Sequence, residues 1–126
     1  MMKELLGEVS ELALREYARA TKQHGPVNHS GHESYSILKE ECEEAHDECI
    51  QTELYLDRYW KSIKQDDYQY QIENLKAIQH KSLLAACEFI QTAAMATKAL
   101  ETIKQNELLG KKIQEALKHA KEEKRI

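Results

Sequence analysis

The chain has one proline, Pro26, and it sits in the segment HGPVNHSGH, residues 24–32, which is built to stop an α-helix. Gly25 can adopt positive φ at a helix end, and Pro26 cannot extend the hydrogen-bonded ladder. Elsewhere Ala, Leu, Glu, Lys and Gln dominate, so long helices are the expected state. Upstream, Leu5, Leu6, Val9, Leu12, Ala13, Tyr17 and Ala20 recur every three or four residues and mark an amphipathic helix from about Lys3 to Gln23. Downstream, a second helix restarts near Ser30 to His32, where Ser30 and Glu33 have capping-box spacing, and it runs on through QTELYLDRYWKSIK.

The polar stretch KQDDYQ, in which Asp66 and Asp67 offer an N-cap, marks the next turn. A third helix covers about Asp67 to Gln105. Its alanine-rich middle carries Leu83, Leu84, Cys87, Ile90 and Ala94 at helical spacing, which makes it the expected central helix. A fourth helix, from about Glu107 to Lys121, carries Leu109, Ile113, Ala116 and Leu117. The expected architecture is all-α: a single domain, residues 1–126, forming an antiparallel bundle of about four helices. An alanine-rich seam of this kind can complete its core against a second copy, so a homo-oligomer, dimer or tetramer, is expected.

A net charge of −4 argues against a nucleic-acid polymer as partner, because such surfaces carry a basic patch or stripe. The charged N-terminus lacks a signal-type apolar run, and no stretch approaches the roughly 20 apolar residues of a membrane span, so a cytoplasmic setting with no membrane partner is expected. The three cysteines, Cys42, Cys49 and Cys87, lack CxxC spacing and are expected as reduced thiols packed like small apolar residues.

The strongest chemical signal is SILKEECEEAHDECI, which places six carboxylates in the nine residues from Glu40 to Glu48. At roughly 100° per residue, Leu38, Cys42, Ala45 and Cys49 form the buried stripe. Glu40, Glu43 and Asp47 fall opposite it. Glu41, Glu44 and Glu48 line one flank at separations that bring side chains together. Partly buried like charges need compensation, either from neighbouring Lys or Arg or from a hard divalent cation such as Mg²⁺. In the third helix, Glu88 stands alone in a small, apolar run. Ionised carboxylates are seldom buried without a partner, and a cation shared between two helices explains both features together, with a lysine salt bridge as the plainer alternative.

These residues resemble the MazG-like, all-α nucleoside triphosphate pyrophosphohydrolase superfamily, phage-associated type. LKEECEEA has the L-x-E-E-x-x-E arrangement at Leu38, Glu40, Glu41 and Glu44, and EFIQTAAMATKAL is similar to the later helix motif. The resemblance spans about Lys22 to Leu100. It implies hydrolysis of a nucleoside triphosphate to monophosphate and pyrophosphate with Mg²⁺, or Mn²⁺, held by Glu41, Glu44 and Glu88. Gln91 stands where the family pattern has aspartate, which lowers the charge of the site; Glu48 could restore it. For orienting or deprotonating water, the wheel favours Glu48 and the family pattern Glu40. Lys39, Lys81 and Lys98 are candidates for phosphate oxygens. Tyr35, Trp60 and Tyr68 are candidates for stacking on a base. A catalytically inactive binding or assembly module is the alternative implied by Gln91.

Other chemistries have less support. Glu43 and His46 form one E-x-x-H, but a carboxylate-bridged di-iron bundle needs two. His29 and His32 lack partner cysteines for zinc. No P-loop or nucleophile-elbow motif is present.

Overall fold

A computed structural model describes residues 1–124 as three α-helices, α1 (Met2–His24), α2 (Gly31–Lys64) and α3 (Tyr68–Lys124), with no strand among them. The stop signals act as their chemistry requires. Gly25 closes α1 at φ 84°, and its amide donates to the Thr21 carbonyl. Ser30 caps α2, its hydroxyl accepting from the Glu33 amide at 3.2 Å. Asp67 caps α3 through Oδ1, which accepts from the Tyr70 amide at 3.0 Å.

The expected break near Gln105 does not occur. Neither Gln105 nor Asn106 removes a donor or forces an irregular φ, so the ladder continues to Lys124 and crosses Gly110, which costs an isolated helix about 1 kcal/mol. The expected fourth helix is therefore the last part of α3. At about 1.5 Å per residue, α3 is about 85 Å long, against about 51 Å for α2. From Ile103 onward every described residue of α3 is exposed.

Helices α2 and α3 form a long antiparallel hairpin, and α1 packs against α3. The hairpin seam repeats every seven residues. Ser34, Glu41, Glu48, Tyr55 and Ser62 on α2 face Asn74, Lys81, Glu88, Met95 and Thr102 on α3, and all ten are buried or half-buried. A seven-residue repeat keeps two helices in contact over many turns. Most of these residues are polar, so the seam depends on matched partners. Lys81 meets Glu48 at 3.6 Å, and the Gln71 side chain donates through Nε2 to the Ser62 carbonyl at 3.4 Å.

The fully apolar core is thin and consists of alanines, Ala20, Ala45, Ala85 and Ala94. Of the stripe expected on α2, Ala45 is buried and Leu38 and Cys49 half-buried, but Cys42 is exposed. On α3, Leu83 and Cys87 are also exposed, because the seven-residue seam turns them away from α2. The three thiols are free, but two of them are not packed inside.

The apolar surface left open is extensive. A groove of about 630 Å³ between α1 and α3 is walled by Leu6, Val9, Leu14, Phe89 and Ile90. Helix α3 also contains an 18-residue window of mean hydropathy 1.2, 17% of it buried. By length and composition that is enough to cross a membrane, which corrects the expectation that no stretch comes near one. The run Ser82–Leu100 accounts for the apolar character, with Glu88 and Lys98 as its charges.

The loop after α1 ties the three helices together at one end. The buried Asn28 amide donates to Thr102 Oγ1 at 2.9 Å, and its carboxamide nitrogen donates to Ser34 Oγ at 2.8 Å. Thr102 in turn donates to the Lys98 carbonyl at 2.7 Å, and Tyr17 donates to the Pro26 carbonyl at 2.9 Å. These bonds fix the turn of α3 that carries Lys98 against the end of α1.

Candidate metal centre

Glu41 and Glu44 lie one turn apart on α2, and the antiparallel seam brings Glu88 of α3 opposite them. Each of the three offers a carboxylate oxygen, and these oxygens all lie within 4.8 Å of one another. Glu41 and Glu88 are half-buried, whereas Glu44 is exposed. Gln91, one turn beyond Glu88, reaches the same point. With its amide nitrogen turned inward it donates to Glu88 Oε2 at 3.1 Å and to Glu41 Oε2 at 3.3 Å. Turned the other way, its oxygen faces those carboxylate oxygens, an orientation that is favourable only with a cation between them.

The electrostatics follow from this crowding. Burial and then the charges of Glu44, Glu88, Glu40 and Glu16 push the Glu41 carboxyl above its ordinary value. Burial, the Glu44 charge, a hydrogen bond with Glu44 and the Glu48 charge do the same for Glu88. Three carboxylates and a carboxamide form a hard, all-oxygen donor set. Such a set suits Mg²⁺ or Mn²⁺ and contains none of the sulfur or nitrogen ligands that structural zinc prefers. The residues therefore fit a hard divalent cation.

The raised values also predict a pH dependence. A carboxyl that holds its proton more tightly folded than unfolded favours the fold as pH falls. That gain begins as pH drops through the raised folded values and is complete below the ordinary value of 4.5. In EDTA, the melting temperature should rise on acidification from about pH 7 toward about pH 5. Mg²⁺ should remove the rise, because it binds the deprotonated carboxylates. Circular-dichroism melts of the protein and of Glu41→Gln check this; the rise should be smaller in the variant.

Beside the carboxylates lies a chamber of about 500 Å³ formed by α1, the loop after it, α2 and α3. Glu40, Glu41, Gln91 and Lys98 line it, and the end of α1 and the loop add Arg19, His24 and His29. The wheel set Glu40 on the solvent side. It is exposed, yet it borders the chamber beside Glu41. Glu48 lies at the seam, with Lys81 at 3.6 Å and its Oε2 buried without a hydrogen bond. Lys81 is thus Glu48's partner and does not line the chamber.

The other expected substrate contacts lie elsewhere. Lys39 is exposed outside the chamber. Tyr35 borders a separate shallow hollow with Gly31, His32 and Ser36. Trp60, close to the far end of α2, is exposed with the Lys64 ammonium 5.7 Å from its ring centre, and Tyr68 is exposed at the start of α3. The sequence reading missed Arg19 and His24 as chamber residues. Arg19 and His24 do lie in the last turns of α1, immediately before the HGPV stop, and that proximity was the available clue.

The chain matches no family model, no curated protein and no solved structure.

Proposed function

We propose that the chain is a Mg²⁺-dependent nucleoside triphosphate pyrophosphohydrolase releasing nucleoside monophosphate and pyrophosphate. The observation that carries this reading is the convergence of Glu41, Glu44 and Glu88 from two helices to within 4.8 Å, beside a chamber large enough for a small molecule. The resemblance of LKEECEEA and EFIQTAAMATKAL to the MazG-like superfamily supports it through those same residues.

In this reading Glu41, Glu44 and Glu88 hold the cation, with Gln91 rotating its oxygen inward to join them. The cation supplies neutralisation of phosphoryl oxygens and a polarised water. Glu40, at the chamber wall, is placed to accept the proton of a water attacking the α-phosphorus, with pyrophosphate leaving in line. Glu48 pairs with Lys81 at the seam, and its charge adds to the crowding felt by Glu88. The apolar side chains of Val27, Ile37 and Met95 provide a wall for the nucleoside end of the substrate.

The open groove between α1 and α3, together with exposed Leu109, Ile113 and Leu117 on the projecting end of α3, supports a homo-oligomer. One observation favours the inactive binding module instead. The Gln91 carboxamide can satisfy Glu41 and Glu88 by itself, which gives the cluster a stable arrangement without any cation.

A pyrophosphate-release assay over standard and modified nucleoside triphosphates, with Mg²⁺ or Mn²⁺, separates the two. Turnover of at least one nucleotide, dependent on the divalent ion, is expected. A folded protein that turns over none of them would exclude the enzyme.

A further inference from the structure

The chamber contains a charge that the carboxylate cluster does not explain. Lys98 is 6% exposed and lines the chamber, yet it forms no salt bridge among the described residues. Lysine is rarely this enclosed unless its ammonium meets a partner, and the wall of the chamber is where this one lies. The hydrogen bond from Thr102 to the Lys98 carbonyl, itself tied to Asn28, holds this turn of α3 in place.

We propose that Lys98 is the phosphate-binding residue of the chamber, and that it takes an oxygen of a condensed phosphate whose other oxygens face the carboxylate cluster. The assignment rests on the metal-dependent reading above and specifies how that site holds its substrate. It also explains why a cation must come first. Arg19 is committed to Glu16, to which its Nε donates at 3.0 Å. That leaves Lys98 as the remaining cation against Glu33, Glu40 and Glu41 on the chamber wall. A bare polyphosphate entering there meets more negative than positive charge; its Mg²⁺ complex does not.

The test uses the full chain with inorganic tripolyphosphate and Mg²⁺ as probes, read by titration calorimetry and thermal melts. Tripolyphosphate should bind only in the presence of Mg²⁺. Lys98→Met should weaken that binding by about 10- to 100-fold, the range a charge-assisted hydrogen bond contributes. Lys98→Arg should retain most of it, and Mg²⁺ alone should bind all three proteins equally. Without ligands, Lys98→Met and Lys98→Arg should give the circular-dichroism spectrum of the native protein, so that a loss of binding is not a loss of fold. Only the native and arginine forms should gain stability from magnesium tripolyphosphate.

Equal tripolyphosphate affinity in the native protein and Lys98→Met, with Mg²⁺ binding intact, overturns the Lys98 assignment and leaves the metal reading standing. Tripolyphosphate binding in EDTA also overturns it. Failure of the native protein to bind Mg²⁺ removes the metal reading and Lys98's role with it.

Discussion

Glu41→Gln is expected to abolish divalent-cation binding and pyrophosphate release while making the metal-free protein more stable. The two effects have one origin. Glu41 is half-buried beside Glu44 and Glu88, and its carboxyl is pushed above the ordinary value by burial first and by those neighbours next. Replacing it with the neutral, nearly isosteric amide removes that repulsion, so the melting temperature in EDTA at neutral pH should rise. The same change deprives a hard cation of one of three anionic ligands, and affinity should fall by about 100-fold or more.

Ligand binding stabilises a fold in proportion to the logarithm of ligand concentration over the dissociation constant. Melts with and without Mg²⁺ should therefore cross. The native protein should gain stability with the ion, and Glu41→Gln should not. Glu43→Gln, on the exposed side of α2, is the matched control and should behave like the native chain. An equal Mg²⁺ response in the native protein and Glu41→Gln would show that the carboxylates do not form the site.

Gln91→Glu should act in the opposite sense. The carboxamide is the only neutral group in the cluster and can donate to both Glu88 and Glu41. A glutamate at this position deletes that donor and adds a fourth negative charge, so the metal-free fold should lose stability at neutral pH and regain it on acidification. With Mg²⁺ the sign reverses, because a fourth carboxylate is a better ligand than an amide oxygen. An affinity gain of about tenfold is expected by titration calorimetry. Lower Mg²⁺ affinity in Gln91→Glu than in the native protein would mean that residue 91 does not face the ion.

The cluster was legible in the sequence because its members obey local rules. Glu41 and Glu44 are one turn apart, and Glu88 and Gln91 repeat that interval, so each pair must share a helix face. The pairing of the two faces depended on a short turn at Gln65–Asp67, which KQDDYQ announced. What depended on non-local placement was not legible. Arg19 and His24 reach the chamber because α1 lies along α3, and no spacing within α1 encodes that. Tyr35 and Trp60, both on α2, have suitable chemistry but do not line the chamber. The fourth helix was set apart from the third after Gln105, yet no proline or glycine stands there, and a polar residue in an exposed helix breaks nothing. Cys42 was placed inside by a 3.6-residue wheel, whereas the seam follows a seven-residue repeat that drifts away from it.

The three-residue turn between α2 and α3 has a consequence for the acidic cluster. Slippage of α2 along α3 by one repeat would set Glu41 beside Lys81 and Ser34 beside Glu88, relieving the carboxylate crowding without any ligand. Such a slip would carry the end of α2 about 10 Å past the start of α3, on top of the gap between the helices, which is more than the three residues Gln65–Asp67 can span. The electrostatic tension at Glu41 and Glu88 is thus held in place by the length of a turn that lies about 36 Å of helix away, from Glu41 to Gln65 at about 1.5 Å per residue.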